Sequence, residues 1–186
     1  MDARCNDTAD AEKQREAIRQ AIAAKIYEFD AHGVEMNQRY KSSAILTDGQ
    51  PEPAFEKDAE LHYQPTTWPG ARLPHVWLYG PEGEKVSSLD LTDHGVFTVL
   101  TGIGGDGWVS AAKALSKEFG LPITVHKVGP RQTWQDFSGD WARAREIRDS
   151  GALLVRPDHH VAWRAEAAVA DPEGELRRVL KTILDR

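Results

Sequence analysis

Between Val96 and Arg186 short apolar runs alternate with stripes of helical period, and that alternation confines the stretch to an α/β fold. Val96 to Leu100 reads as a short buried strand. Trp108, Ala112, Leu115 and Phe119 then recur at spacings of four, three and four, which puts them on one helical face, and Gly120 with Pro122 ends that helix. Pro122 to Val128 is a second strand, closed by Gly129-Pro130. Phe137, Trp141, Ala144 and Ile147 mark a second helical stripe, with Ser138 as its start signal and Gly151 as its stop. Ala152 to Val155 and Val161 to Ala165 bracket Pro157-Asp158-His159-His160 as a hairpin. Pro172 to Leu184 is the last helix, burying Leu176, Val179, Leu180 and Ile183 while Arg177, Arg178 and Lys181 face water. The expected order is β-α-β-α-β-β-α.

Upstream the signals are sparser. Ile18, Ile22, Ile26 and Phe29 lie at helical spacing among charged residues, so Asp10 to Phe29 reads as one amphipathic helix, ending near His32-Gly33 where a left-handed glycine closes it. Tyr40 to Leu46 is a candidate short strand. Pro51 to Pro74 shows no period, and so long a stretch points to a functional loop or to a segment lying against another body. Val76 to Tyr79 and Val86 to Leu91 flank a turn at Gly80-Pro81-Glu82-Gly83. The reading therefore divides the chain into 1–75, a helix and extended segment, and 76–186, the α/β domain.

Composition removes several function classes. A net charge of -6 with acids and bases mixed along the chain leaves no basic face for nucleic acid. No apolar run approaches the ~20 residues that span a bilayer, and Met1 to Asp10 is polar and acidic where a signal peptide would be basic then apolar. A cytoplasmic protein without membrane partners is expected. With Cys5 as the single cysteine there is no internal disulfide, no CxxC pair and no cysteine-rich metal site.

The β-α-β-α-β-β-α order resembles the minimal thioredoxin fold, whose CxxC sits between the first strand and first helix. Here Thr101 to Trp108 fills that position without sulfur, and thiol exchange needs a thiolate. The same segment spells Gly102-x-Gly104-x-x-Gly107 after a strand and before a helix, the context of a dinucleotide fingerprint. The acid that such a site wants at the end of the second strand is missing, since the chain reads His126-Lys127-Val128, and one βαβ pair followed by a hairpin is not a repeated parallel unit. Gly102, Gly104 and Gly107 remain the weak cofactor-binding candidates. The preferred reading of them is a tight strand-to-helix turn whose glycines allow close backbone approach.

Among polar residues, Asp158-His159-His160 lacks further ligands and adjacent residues point apart, so no metal is expected. Asp93-His94 has no nucleophile or oxyanion signature beside it and reads as a loop or strand cap; no catalytic residue is assigned. Arg72 and His75 stand in Trp68-Pro69-Gly70-Ala71-Arg72-Leu73-Pro74-His75, where two prolines and a glycine fix the backbone around two directed hydrogen-bonding side chains. They are candidates for docking, with an alternative in which Arg72 pairs with a carboxylate and His75 caps a neighbouring strand.

Four separated segments carry a family resemblance: Tyr27 to Glu35, Pro69 to Leu78, Leu100 to Gly105 and Leu154 to Arg164. Together, in colinear order from about residue 4 to residue 165, they resemble the C-terminal third of FAD-dependent aromatic-ring hydroxylases of the phenol-hydroxylase and 2,4-dichlorophenol 6-monooxygenase type. The resemblance implies a parent reaction using NAD(P)H, FAD and oxygen to hydroxylate a phenol, with the flavin-binding part absent from this chain. It also implies a thioredoxin-like region without redox cysteines that serves dimer contacts and packing. Ile18, Ile22, Ile26 and Phe29, with Arg72 and His75, become the expected interface, toward an N-terminal flavin domain or a second copy of the chain. No cofactor is then expected in this chain itself, which reads as a fragment or a separately encoded remnant. Two readings compete: a free-standing interaction module working through the Asp10 to Phe29 helix, and a small nucleotide-binding protein or enzyme using the glycine loop and His75.

Overall fold

Thr8 opens the first helix: its side chain accepts from the Ala11 N–H at 3.2 Å, and Asp10 and Glu12 in the first turn complement the helix dipole. The computed structural model describes residues 5–92 and 95–185. They form two compact units, one running to Asn37 and including Phe55–Gln64, the other made of Gln38–Ala54 and the chain from Pro65 onward.

The first unit holds α1 (Ala9–Ala23), α2 (Ile26–Phe29) and α3 (His32–Met36). The expected single helix is therefore broken. No glycine or proline marks the break; at Lys25 the N–H bonds the Ile22 carbonyl three residues back, tightening the turn before α2 restarts. Gly33 also differs from expectation, because it lies inside α3 and not in a left-handed terminator. A Cβ there would collide with the Ala59 carbonyl oxygen, which explains the glycine by close approach.

Tyr27 ties α2 to the 55–64 segment through a 2.6 Å hydrogen bond to Asp58 Oδ2. That bond raises the Tyr27 phenol above its ordinary range and lowers the Asp58 carboxyl below its own. The depressed acid contributes stability present above the ordinary carboxyl value and lost as pH falls through its folded value. The raised phenol contributes stability present below the ordinary tyrosine value and lost as pH rises through its folded value. The tether should thus hold between about pH 4 and pH 10. An ultraviolet titration should show a late-ionising phenol that disappears in Tyr27→Phe; identical titrations would contradict the tether.

The second unit begins, among its regular elements, with an antiparallel pair, β1 (Trp77–Tyr79) and β2 (Lys85–Ser87), in which Trp77 faces Ser87 and Tyr79 faces Lys85. The expected strand at Tyr40 to Leu46 is replaced by isolated contacts: Arg39 bridges Ala71, and the Leu46 N–H donates to the Ala162 carbonyl. Then follow β3 (Phe97–Thr101), α4 (Asp106–Phe119), β4 (Ile123–Lys127), α5 (Asp140–Ala144), β5 (Ala152–Val155), β6 (Val161–Ala165) and α6 (Pro172–Leu184). The expected order is the observed one.

The sheet runs β4-β3-β5-β6, with β3 and β4 parallel and the β5–β6 hairpin antiparallel, which is the thioredoxin-like arrangement. Both central strands read as continuous apolar or threonine runs because both faces are covered. On one face Val99 and Leu154 meet Trp108, Leu115, Leu176 and Leu180 of α4 and α6. On the other Leu100, Leu153 and Val155 meet Trp141, Leu73 and Leu78. Each of these fully buried aliphatic side chains contributes roughly 1.5–3 kcal/mol.

The α5 stripe is shorter than its period implied. Asp136 Oδ2 takes the Ala142 N–H, Gly139 is left-handed at the helix start, and Glu146 is left-handed at φ 52 just beyond its end. Ser138 bonds the Asp140 side chain instead of capping, and Phe137, expected in the buried stripe, is 71% exposed. Ile147 keeps its place in the core. No helix of the described residues is long and apolar enough to cross a membrane.

Candidate functional site

Within the second unit, the segment from Pro65 to His75 is fastened at both ends. At the first, Glu146 Oε2 accepts from Thr66 Oγ1 at 2.8 Å and the Thr67 N–H at 2.9 Å, while Thr67 Oγ1 donates to the Arg145 carbonyl at 2.7 Å. Arg164 closes this hub by donating to Glu146 and to Asp48. Farther on, Gly70 donates to the Val161 carbonyl, Val161 to that of Ala71, and Leu73 to that of His159, each at 2.8–2.9 Å. Glu146 and His159, two of these anchors, hold left-handed backbones at φ 52 and 65, a conformation that costs a side-chain-bearing residue about 1–2 kcal/mol.

Beyond Leu73 the chain enters β1 with strict alternation. Val76 and Leu78 point into the core, whereas His75 and Trp77 are exposed and Tyr79 half-exposed. The outward residues form one patch. His75 meets Trp77 edge-on at 4.7 Å and bonds Ser87 Oγ through Nδ1 at 2.7 Å, Lys85 Nζ stands 4.4 Å over the Trp77 ring, and Tyr79 contacts Phe137 at 5.2 Å. Of the two sequence candidates here, His75 binds the neighbouring strand β2. Arg72 takes no carboxylate among the described residues; it is half-buried in a bridge with His160, and its Nε is sealed off without an acceptor. Glu146 and the aromatic partners were missed by sequence reasoning, although the His-Val-Trp-Leu-Tyr alternation signals an outward-facing Trp77.

The other interface candidates lie together in the first unit. Ile18 and Ile26 are 38% exposed, Ile22 67% and Phe29 82%, lining with Ala21 an apolar groove of about 640 Å³.

The glycine loop is packed against its own chain. A Cβ on Gly102 would stand 2.5 Å from the Asp149 carbonyl oxygen, one on Gly104 would press on Ser150, and one on Gly107 on Pro172. Gly104 and Gly105 donate to the Asp149 and Gly102 carbonyls, and Asp106 in the first turn of α4 pairs with Lys127 at 2.7 Å. A carboxylate of the chain thus already stands at the helix end where a nucleotide phosphate binds in dinucleotide folds.

Asp158, His159 and His160 go separate ways. Burial alone would raise the Asp158 carboxyl, but the Arg156 guanidinium and the His160 N–H outweigh it and hold it low. His159 Nδ1 lies 2.6 Å from Thr92 Oγ1, and the His160 ring stands edge-on to Tyr40. Among the described residues no group of three or more potential ligands surrounds a metal position. Asp93 and His94 lie outside the described residues. Cys5 is exposed.

The family described as aromatic-ring hydroxylase, C-terminal, matches residues 66–186. The 2,4-dichlorophenol 6-monooxygenase of Cupriavidus pinatubonensis is 49% identical over 178 residues, which are 95% of this chain and 30% of that protein. The phenol 2-monooxygenase of a Pseudomonas species is 46% identical over 90% of this chain and 28% of its own length. The crystal structure of the flavin-dependent monooxygenase PieE in complex with FAD and substrate superposes with a TM-score of 0.80 at 45% identity, covering 99% of this chain and 31% of that one. The chain spans about three tenths of the length of these relatives.

Proposed function

The chain belongs to the aromatic-ring hydroxylase C-terminal family, and we propose that it is the redox-inactive, thioredoxin-like portion of a flavin-dependent phenol-type hydroxylase, with a structural and assembly role. The observation that carries this reading is the asymmetry of coverage: 95% of this chain aligns to 30% of a much larger monooxygenase. In this reading FAD and NAD(P)H serve the parent reaction, a ring hydroxylation in the cytoplasm, and are held outside this chain. Residues 76–186 supply the domain, and residues 1–75 pack on the flavin and substrate domains. Two features support it. The position of a redox pair holds a glycine turn closed against Asp149 and Ser150. Ile18, Ile22, Ile26 and Phe29 leave an apolar surface that a neighbouring body would cover.

The test uses the Cupriavidus pinatubonensis enzyme shortened by the region that this chain matches and loaded with FAD. The wild-type chain should bind it in trans, and Ile22→Asp should abolish binding by placing a charge in the apolar groove. Failure of the wild-type chain to bind, or indifference to Ile22→Asp, would refute the docking role.

A further inference from the structure

Ten arginines of the described chain form ion pairs with carboxylates. Among the described residues Arg72 has none, a state it shares with Arg131, which is exposed on a turn. Arg72 is different because it is half-buried between Ala71 and Leu73, 5% and 1% exposed, with its Nε sealed from solvent and unbonded. A guanidinium is always charged, so this placement carries a free-energy cost that glutamine or methionine would avoid. The cost is imposed by rigid backbone. Arg72 lies between the hydrogen bonds of Ala71 and Leu73 to β6 and its hairpin, and the strained Glu146 and His159 are among the anchors of the same segment. Strained anchors and an unmet charge on a rigid, otherwise buried segment mark a surface completed by something else.

Charge indicates what completes it. Past Arg72 the segment presents His75, Trp77 and Tyr79, and Lys85 lies over Trp77 with no carboxylate partner among the described residues. In a chain with a net charge of -6, Arg72 and Lys85 are cations without a carboxylate partner among the described residues. Arginine, tryptophan and tyrosine are also the residues enriched at interface hot spots.

We infer that Arg72 is the anchoring cation of a docking surface completed by a carboxylate of the parent hydroxylase's flavin-bearing part, with the aromatic side chains of His75, Trp77 and Tyr79 as its remainder. This rests on the assembly role proposed above and adds the partner's chemistry. The terminal amino groups of Arg72 take the carboxylate, and docking removes water from the aromatic strip.

The test measures Arg72→Gln twice. In the isolated chain its melting temperature should be equal to or higher than that of the wild type, because an unpaired charge is removed. Against the shortened, FAD-loaded Cupriavidus enzyme its affinity should fall about tenfold or more, and added salt should narrow the difference. Equal affinities would overturn the inference while leaving the assembly role intact. So would a lowered melting temperature of the isolated variant, which marks Arg72 as structural. Self-association of the chain that depends on Arg72 would assign the surface to a second copy and overturn it as well. Absence of wild-type binding removes both the inference and the reading beneath it.

Discussion

Replacing Trp108 by alanine should lower the unfolding free energy by about 4 kcal/mol, more than any surface change in this chain. Trp108 is 1% exposed in the cluster that joins β3, β5 and β6 to α4 and α6. Its ring stands edge-on to Trp163 at 5.6 Å, and its Nε1–H donates to the Ser150 carbonyl at 3.0 Å. Truncation opens a cavity between helix and sheet and leaves that carbonyl without its donor. Ser150 belongs to the strip against which the glycine loop closes, so the damage reaches that loop. Urea unfolding followed by circular dichroism gives the number. A loss below about 1 kcal/mol would mean that this core is not arranged as described.

Gly102→Ala should cost about 2–4 kcal/mol, and it distinguishes two explanations of the glycine loop. The backbone of Gly102 does not have positive φ, so alanine is permitted there by torsion. What forbids it is the Asp149 backbone, whose carbonyl oxygen would lie 2.5 Å from the new methyl group and is already bonded to the Gly104 N–H. If the glycine existed to admit a nucleotide, alanine would weaken ligand binding and spare the fold. Destabilisation in the absence of any ligand is the expected result. Unchanged stability would return the loop to the list of ligand sites.

The α/β half was legible in sequence because burial on both faces leaves little choice. Ala152-Leu153-Leu154-Val155 is an apolar run too short for a buried helix and bounded by turn signals, and the α4 stripe from Trp108 to Phe119 matches the helical period. Where burial is weaker, period misled. Phe137 falls in step with Trp141 by coincidence, and the helix it was assigned to has five residues, starting only after the left-handed Gly139 of the Ser138-Gly139 pair and followed by a left-handed Glu146 that no local motif announces. The break between α1 and α2 has no glycine or proline to mark it. The Pro65 to His75 segment, proposed for docking, stood out in sequence through its prolines and its Arg72 and His75. Its anchor was not, because Glu146 lies 79 residues from Thr67 and only the fold brings them together. Gly33 was read as a helix stop when its role is set by Ala59, another contact distant in sequence.

Under the assembly role proposed for it, this chain has no chemistry of its own. Titrating FAD, and separately NADH, against the purified chain while following fluorescence tests it most directly. No saturable change with either ligand is expected, and saturation in the micromolar range would contradict the proposal.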